Sequence, residues 1–441
     1  MQIDHAMRSA LDQAWDPDSA QMSLERWLLI CDREGWGSCP ENSALLVKVF
    51  GASWYFTRLI FYCGKDITKY FNHAQQTTDF SVRSLREQLL DVCHAEETGE
   101  KLDELRLSKN QLMLEIFLAS LEQKLTQEEI ERSLTNLAEA VMWCVMQILI
   151  GQNASDETDL AVLAMGRMAG NEMNFGSDLD LIFLYSGDSQ ENFAIMSRQV
   201  QSLLRQVASI SAAGNLYEID MRLRPHGTSG TLISSAQYFI EYHSQERQVW
   251  ERQMMTRCRV IVDSNNLAEQ AMDNITSAIY AEYDKEYLKN EIITMRRKVQ
   301  EELGSPKGKH EIKRGVGGIM DIDFLSHYLQ LLHGHKIKSI KTSSTRIALR
   351  NLAKENILDK STCNELLDAY DFLKQLEGRL RVHDMKSVSS FSSIAGGVHV
   401  LARAMGYMEE DRNKAAEEFL DTYLKVTKTV RQHFKMIIGK I

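Results

Sequence analysis

A chain of 441 residues, 44% of them hydrophobic, is long enough for two to four domains with cores of their own. Its formal net charge of −10, from 61 acidic and 51 basic residues, argues against a protein built mainly to coat nucleic acid, where a basic surface supplies the affinity. A small basic pocket for phosphates stays open. The cysteines (Cys31, Cys39, Cys63, Cys93, Cys144, Cys258 and Cys363) form no C-x-x-C pair and read as reduced thiols of a cytoplasmic protein. The opening Met1-Gln2-Ile3-Asp4-His5 lacks the regions of a signal peptide, and the longest apolar stretch, Met142 to Ile150, falls far below the ~20 residues of a membrane span.

With 4 prolines in the chain, long helices can run unbroken. Residues 1–155 read as a helical domain. Its clearest helix is Thr126 to Ile150, where Thr126 and Glu129 form a capping-box signal. Ile130, Leu134, Leu137, Val141, Val145 and Ile148 follow at three- and four-residue steps, giving one apolar stripe. After the polar stretch Gly151 to Thr158 the texture changes. Leu160 to Met165 and Leu179 to Tyr185 read as buried strands, Asn192 to Ala213 as a helix stopped by Gly214-Asn215, and Leu216 to Met221 as a third strand. Residues 156–265 are therefore expected to form a compact α/β unit. From Asn266 to the end, residues 266–441, helical spacing returns, as in Phe419, Tyr423, Val426, Val430, Phe434 and Ile437. The fold class is α+β, predominantly helical.

Asp178 and Asp180 are two apart at the start of a strand, so both carboxylates share a face. Carboxylates this close repel, and a divalent cation such as Mg²⁺, which prefers oxygen ligands shared with phosphates, relieves the repulsion. Gly176 and Ser177 precede them, and their amides and hydroxyl suit a phosphate. Gly166, Ala169 and Gly170 add a small-residue loop upstream, with Arg167 as a positive charge inside it. In Tyr217 to Pro225, an extended chain places Glu218, Asp220 and Arg222 on one face, and a third acid beside an acid pair is the usual make-up of a two-metal phosphoryl-transfer centre. Arg222 and Arg224 are positioned to neutralise phosphates or to pair with the acids. A second Asp-x-Asp, Asp321-Ile322-Asp323, opens a helical pattern. There its acids diverge and oppose the helix dipole, which makes them a poor metal pair. His333-Gly334-His335 reads as a helix end.

The run Met165-Gly166-Arg167-Met168-Ala169-Gly170 through Gly176-Ser177-Asp178-Leu179-Asp180 to Tyr185 resembles the signature of the glutamine synthetase adenylyltransferases. Asp220-Met221-Arg222-Leu223-Arg224-Pro225, Trp250-Glu251-Arg252-Gln253 and Gly317-Gly318-Ile319-Met320-Asp321-Ile322-Asp323-Phe324 resemble further motifs of that family, in the right order; Phe50-Gly51-Ala52-Ser53 is a looser match. The resemblance implies a polymerase-β-like nucleotidyltransferase domain flanked by N-terminal and C-terminal helical domains. It implies Mg²⁺ on Asp178, Asp180 and Asp220, and phosphate contacts from Gly166, Arg167, Gly176, Ser177, Arg222 and Arg224. ATP is the implied substrate, a tyrosine of glutamine synthetase the acceptor, and a PII-type nitrogen-signalling protein a further partner; neither nucleic acid nor membrane is expected.

Members of the family usually join two such halves, one attaching AMP and one removing it with phosphate. This sequence holds a single Gly-Ser-Asp-x-Asp, so it corresponds to one half, excised or stand-alone. Where the family has Gly-Lys-Leu-Gly-Gly, it reads Gly166-Arg167-Met168-Ala169-Gly170. The expected reaction is AMP attachment, with AMP removal or a non-catalytic regulator of the same fold as alternatives. The intact acid set weighs against a mere binding module.

Overall fold

The structure, a computed structural model, describes residues 3–36, 42–72, 79–151, 159–187, 189–245, 247–304, 308–393, 397–409 and 411–440. Cys39, Pro40, Pro306 and the expected domain boundary at 155/156 lie outside these residues.

The capping box forms as read. Thr126 Oγ1 accepts from the Glu129 amide while the Glu129 carboxylate accepts from the Thr126 amide, and the helix runs Gln127–Leu149. With helix Thr98–Leu121 it forms the core of the N-terminal helical layer, where Leu105, Leu114, Phe117, Leu137, Val141 and Val145 are all inaccessible to solvent.

The central sheet has five strands: β1 (Leu160–Met165), β2 (Leu179–Tyr185), β3 (Ile219–Asp220), β4 (Ser234–Ser235) and β5 (Cys258–Val262). β2 and β5 lie antiparallel on either side of β1, while β3 and β4 run parallel to β2. β1, and β2 from Leu181 onward, are buried on both faces, which is why they read as apolar runs. Leu179, Leu181 and Phe183 share one core with the N-terminal helices and with helix Gln190–Ala208. Ala161, Leu163, Ile182 and Leu184 pack on the opposite side against Phe239, Ala268, Ala271 and Ile275.

That second core moves one boundary. Helix Leu267–Ile279, expected to open the C-terminal domain at residue 266, covers the sheet instead. The C-terminal helical domain begins with helix Lys285–Leu303, capped by Asp284, and has its own core around Ile322, Leu325, Leu373, Phe419 and Phe434.

The third strand is shorter than its sequence pattern. The amides of Leu216 and Tyr217 both donate to the Val207 carbonyl, so the first half of the segment closes off the preceding helix rather than pairing. The Arg222 amide donates to Asp220 Oδ1 and turns the chain away at the other end. Only Ile219–Asp220 remains as strand.

Candidate active site

Strand register sets the acids. β3 lies parallel beside β2 with Leu179 opposite Ile219 and Asp180 opposite Asp220. Asp178 precedes β2 and is exposed. Asp180 is half-buried at the end where the covering layer stops; its face continues with the buried Ile182 and Leu184. Beyond the end of β1 sits Gly166, at φ +57, with its Cα against this carboxylate: a Cβ built there would lie 2.6 Å from Asp180 Oδ2. The glycine is thus required twice, for its backbone conformation and for the space it leaves.

Gly176 and Ser177 are held by both helical domains. Phe175 meets Phe56 and Phe117 edge-to-face at 6.4 and 5.7 Å between ring centroids. On the other side, the buried Asn174 amide donates to the Lys374 carbonyl at 2.8 Å, on helix Lys360–Arg381. The Asn174 backbone N–H donates to Ser177 Oγ at 2.9 Å, and Arg381 Nη1 approaches the same hydroxyl at 3.4 Å. Gly176, at φ +61, is so close to the Met385–Lys386 backbone that a Cβ would come within 2.8 Å of the Met385 carbonyl carbon.

Crowding perturbs the carboxylates unequally. Burial, and then the charge of Asp220, push Asp180 up to about 6, with Lys313 opposing. Burial and Glu218 also raise Asp178, against the pull of Arg381 and Lys313. Asp220 goes the other way, because hydrogen bonds from Arg222 hold it below its ordinary value. Arg222 Nε donates to both Asp220 oxygens, at 3.0 and 2.8 Å, and Nη2 makes a further contact.

These oxygen donors suit Mg²⁺ in kind, and their mutual repulsion is what such a cation relieves. Among the described residues, however, no three His, Cys, Asp or Glu side chains are grouped so as to hold a metal as they stand. Arg222 engages both oxygens of Asp220.

A family model described as Glutamate-ammonia ligase adenylyltransferase matches residues 43–274, more than half of the chain. The chain belongs to this family. Residues 293–438 match a second family model, described as GlnD PII-uridylyltransferase. Among curated relatives, the bifunctional glutamine synthetase adenylyltransferase/adenylyl-removing enzyme of Nitrosomonas europaea is 31% identical over 286 residues, covering 64% of this chain and 31% of the relative. Its counterpart in Chromobacterium violaceum is 30% identical over 67% of this chain and 33% of the relative. That of Bradyrhizobium diazoefficiens is 29% identical over 86% of this chain and 40% of the relative. The chain thus spans about a third of the length of the relatives it matches.

Arg167, expected at the phosphates, lies elsewhere. Its guanidinium forms a two-armed pair with Asp323, at 3.1 and 2.7 Å, and donates to the Tyr370 hydroxyl at 2.6 Å. Glu172 and Arg257 complete this buried cluster: Arg257 Nη2 lies 2.5 Å from Glu172 and Nη1 lies 3.1 Å from Asp323. Burial alone would raise Glu172, but Arg257 and Arg167 overcome it and hold the carboxyl at about 2. The cause is the short helix Gly166–Ala169, which turns Arg167 toward the C-terminal domain while Gly166 stays at the acids. Arg224 also departs from the expectation. It staples its own loop, donating to the carbonyls of Met221 at 2.6 Å and Gly230 at 3.2 Å.

The second Asp-x-Asp is split, as helical geometry requires. Asp323 joins the Arg167 cluster, whereas Asp321 is fully buried against Arg296 at 2.6 Å and Arg431 at 3.1 Å. His333 ends helix Ile319–His333, with Gly334 as its cap.

Two cations near the acids escaped the sequence reading. Lys313 and Arg381 both act on Asp178, and Lys313 acts on Asp180 as well. Burial draws Lys313 down to about 8. The one local signal was Lys313-Arg314 abutting the glycine-rich Gly315-Val316-Gly317-Gly318. Arg381 had none.

Proposed function

We propose that this chain transfers AMP from ATP to a tyrosine of glutamine synthetase. The observation that carries the reading is the register that sets Asp180 beside Asp220, one step from Asp178, at the mouth of the Gly176-Ser177 turn. Family membership supports the nucleotidyl chemistry, and the names of the relatives support glutamine synthetase as the protein substrate. Asp178 and Asp180 would hold Mg²⁺, joined by Asp220 when Arg222 releases it. Bound there, the ion would neutralise phosphate charge and polarise the reacting phosphoryl group.

The remaining chemistry belongs to the chain itself. Ser177, with Arg381 at its hydroxyl, and Lys313, whose charge acts on Asp178 and Asp180, offer donors and positive charge suited to the triphosphate. Arg222, three-quarters exposed, is free to swing from Asp220 to a phosphate oxygen. That exchange frees Asp220 at the moment substrate arrives. Asp220 then takes the proton of the tyrosine hydroxyl, the hydroxyl oxygen bonds to the α-phosphorus in line, and pyrophosphate carries away the electron pair of the broken P–O bond. With Arg167 and Arg381 committed to buried carboxylates, the leaving pyrophosphate is met by Arg222 and Lys313.

The same acids would also serve phosphate-driven removal of AMP to give ADP; the relatives' names include an adenylyl-removing activity. The match of residues 293–438 to a PII-uridylyltransferase model supports a PII-type protein as a regulator. Incubation with labelled ATP, Mg²⁺ and glutamine synthetase, beside phosphate with pre-adenylylated glutamine synthetase, separates the two directions. Label is expected to enter the protein in the first assay, and Asp178→Asn to lower that rate about 100-fold or more. Full activity of Asp178→Asn, or label released only with phosphate, overturns the reading.

A further inference from the structure

Behind the Gly176-Ser177 turn lies a cavity of about 380 Å³ where all three layers of the protein meet. The N-terminal helices contribute Tyr55, Lys109 and Met113, the sheet layer Asn174 and Tyr217, and the C-terminal domain Met385 to Ser387. Of the three site carboxylates only Asp178 reaches it, at the rim with Ser177 and Glu218. The cavity therefore opens onto the cleft at Gly176, Ser177 and Asp178 and extends from there away from Asp180 and Asp220.

Lys109 is its unusual feature. The residue is 3% exposed, yet no hydrogen bond or ion pair joins its ammonium to any described residue. Its single specific contact is with the ring of Tyr217, 5.1 Å from Nζ to the centroid. The neighbouring polar groups are engaged with one another: the Tyr55 hydroxyl donates to Asn110 Oδ1 at 2.7 Å, and Asn110 Nδ2 donates to the Ala213 carbonyl at 2.8 Å. Burial draws Lys109 down to about 7, and no carboxylate opposes the fall. A buried ammonium without a counter-charge is costly. The other buried lysine of the domain junction, Lys374, is fully paired, with Glu377 at 2.9 Å and Glu131 at 3.6 Å. Where Lys374 is paired with carboxylates, Lys109 faces a cavity.

We infer that this cavity binds a small oxyanion, a phosphate or carboxylate group, whose charge is taken by Lys109. Met113, Leu134, Met173, Leu216 and Met385 give the cavity an apolar wall for the body of a ligand, and Tyr217 supplies an aromatic face. The segment Tyr217-Glu218-Ile219-Asp220 runs from this wall straight into β3, so an occupant bears on the strand that carries Asp220. The oxyanion is either a free solute or the phosphate tail of the nucleotide.

Titration of the full chain with orthophosphate, pyrophosphate and acetate, followed by NMR of ¹³Cε,¹⁵Nζ-labelled lysine, tests this. At least one of them is expected to shift the Lys109 signal and raise its pKa. Lys109→Met is expected to weaken that binding about tenfold or more in calorimetry, with Lys109→Arg retaining it. Displacement by Mg²⁺-ATP identifies the nucleotide's phosphate as the source, and simultaneous binding identifies a free solute. No shift of Lys109 with any of the three anions overturns the inference, as does unchanged affinity in a folded Lys109→Met. The NMR arm uses the unaltered chain and stands if the variant fails to fold. Neither glutamine synthetase nor AMP transfer enters the readout, so its failure is distinct from failure of the proposed reaction.

Discussion

Asp180 shows how one side chain sets function against stability. Its pKa of about 6 in the folded protein lies above the ordinary value of 3.8, because burial and Asp220 disfavour the charge. The folded state thus holds the proton more tightly than the unfolded state does. The cost of ionising Asp180 is absent below about pH 4, grows between pH 4 and 6, and is fully present at pH 7. Asp180→Asn removes that cost. The variant is expected to be more stable than the parent at pH 7 by on the order of 1–3 kcal/mol, with no such gain at pH 4, in urea titrations at the two values. It is also expected to lose AMP transfer. In the parent enzyme kcat/KM should fall as pH drops through about 6 and Asp180 takes up its proton. A parent profile flat from pH 5 to 8, or a destabilised Asp180→Asn, contradicts this account.

At the scale of elements, the site is an end-of-strand assembly. β1 leads into Gly166, β2 begins beside Asp178, and β3 lasts only long enough to bring Asp220 alongside. The tightest point is the contact of Gly166 with Asp180. Gly166→Ala adds a Cβ where Asp180 Oδ2 stands, on a backbone at φ +57 that alanine resists. The expected result is a loss of roughly 1–3 kcal/mol in thermal or denaturant unfolding, together with a lower rate of AMP transfer from a displaced carboxylate. Wild-type activity and stability in this variant would show that the close approach is relieved at no cost.

At the scale of the molecule, buried charge joins the domains. Arg167 and Glu172 of the sheet layer meet Asp323 and Tyr370 of the C-terminal domain, and Arg346 reaches Glu131 of the N-terminal helices at 2.6 Å. Such a junction is fixed by geometry more than by net attraction, since removing one partner strands the other without water. Arg167→Met is expected to destabilise the chain by about 3–5 kcal/mol, measured by denaturant unfolding. Arg167→Met with Asp323→Leu should recover part of that loss. A phosphate-binding Arg167 would instead give a stable variant with a raised KM for ATP. The junction also clasps the Gly176-Ser177 turn, so loosening it is expected to lower kcat without touching a site residue.

The sequence by itself determined what is periodic or local. The strands Leu160–Met165 and Leu179–Tyr185 and the capped helix Gln127–Leu149 were legible because burial on both faces and a capping box leave marks within a few residues. Asp178 and Asp180 stand two apart at the start of an apolar strand, a spacing local enough to see, and the motif around Asp220 singles it out. Tertiary structure alone decided the rest. A strand of two residues is too short to show a period, so β3 was overdrawn. Helix Leu267–Ile279 has the same spacing whether it covers a sheet or opens a bundle. Arg167 finds Asp323 far along the chain, and Arg381 comes to Ser177 from a distant helix. A charge advertises itself in sequence but not its partner, because ion pairing depends on distance in space. The carboxylates could be read from the chain, whereas the cations that face them, and the lysine left unpaired behind them, exist as a site only after the three layers close.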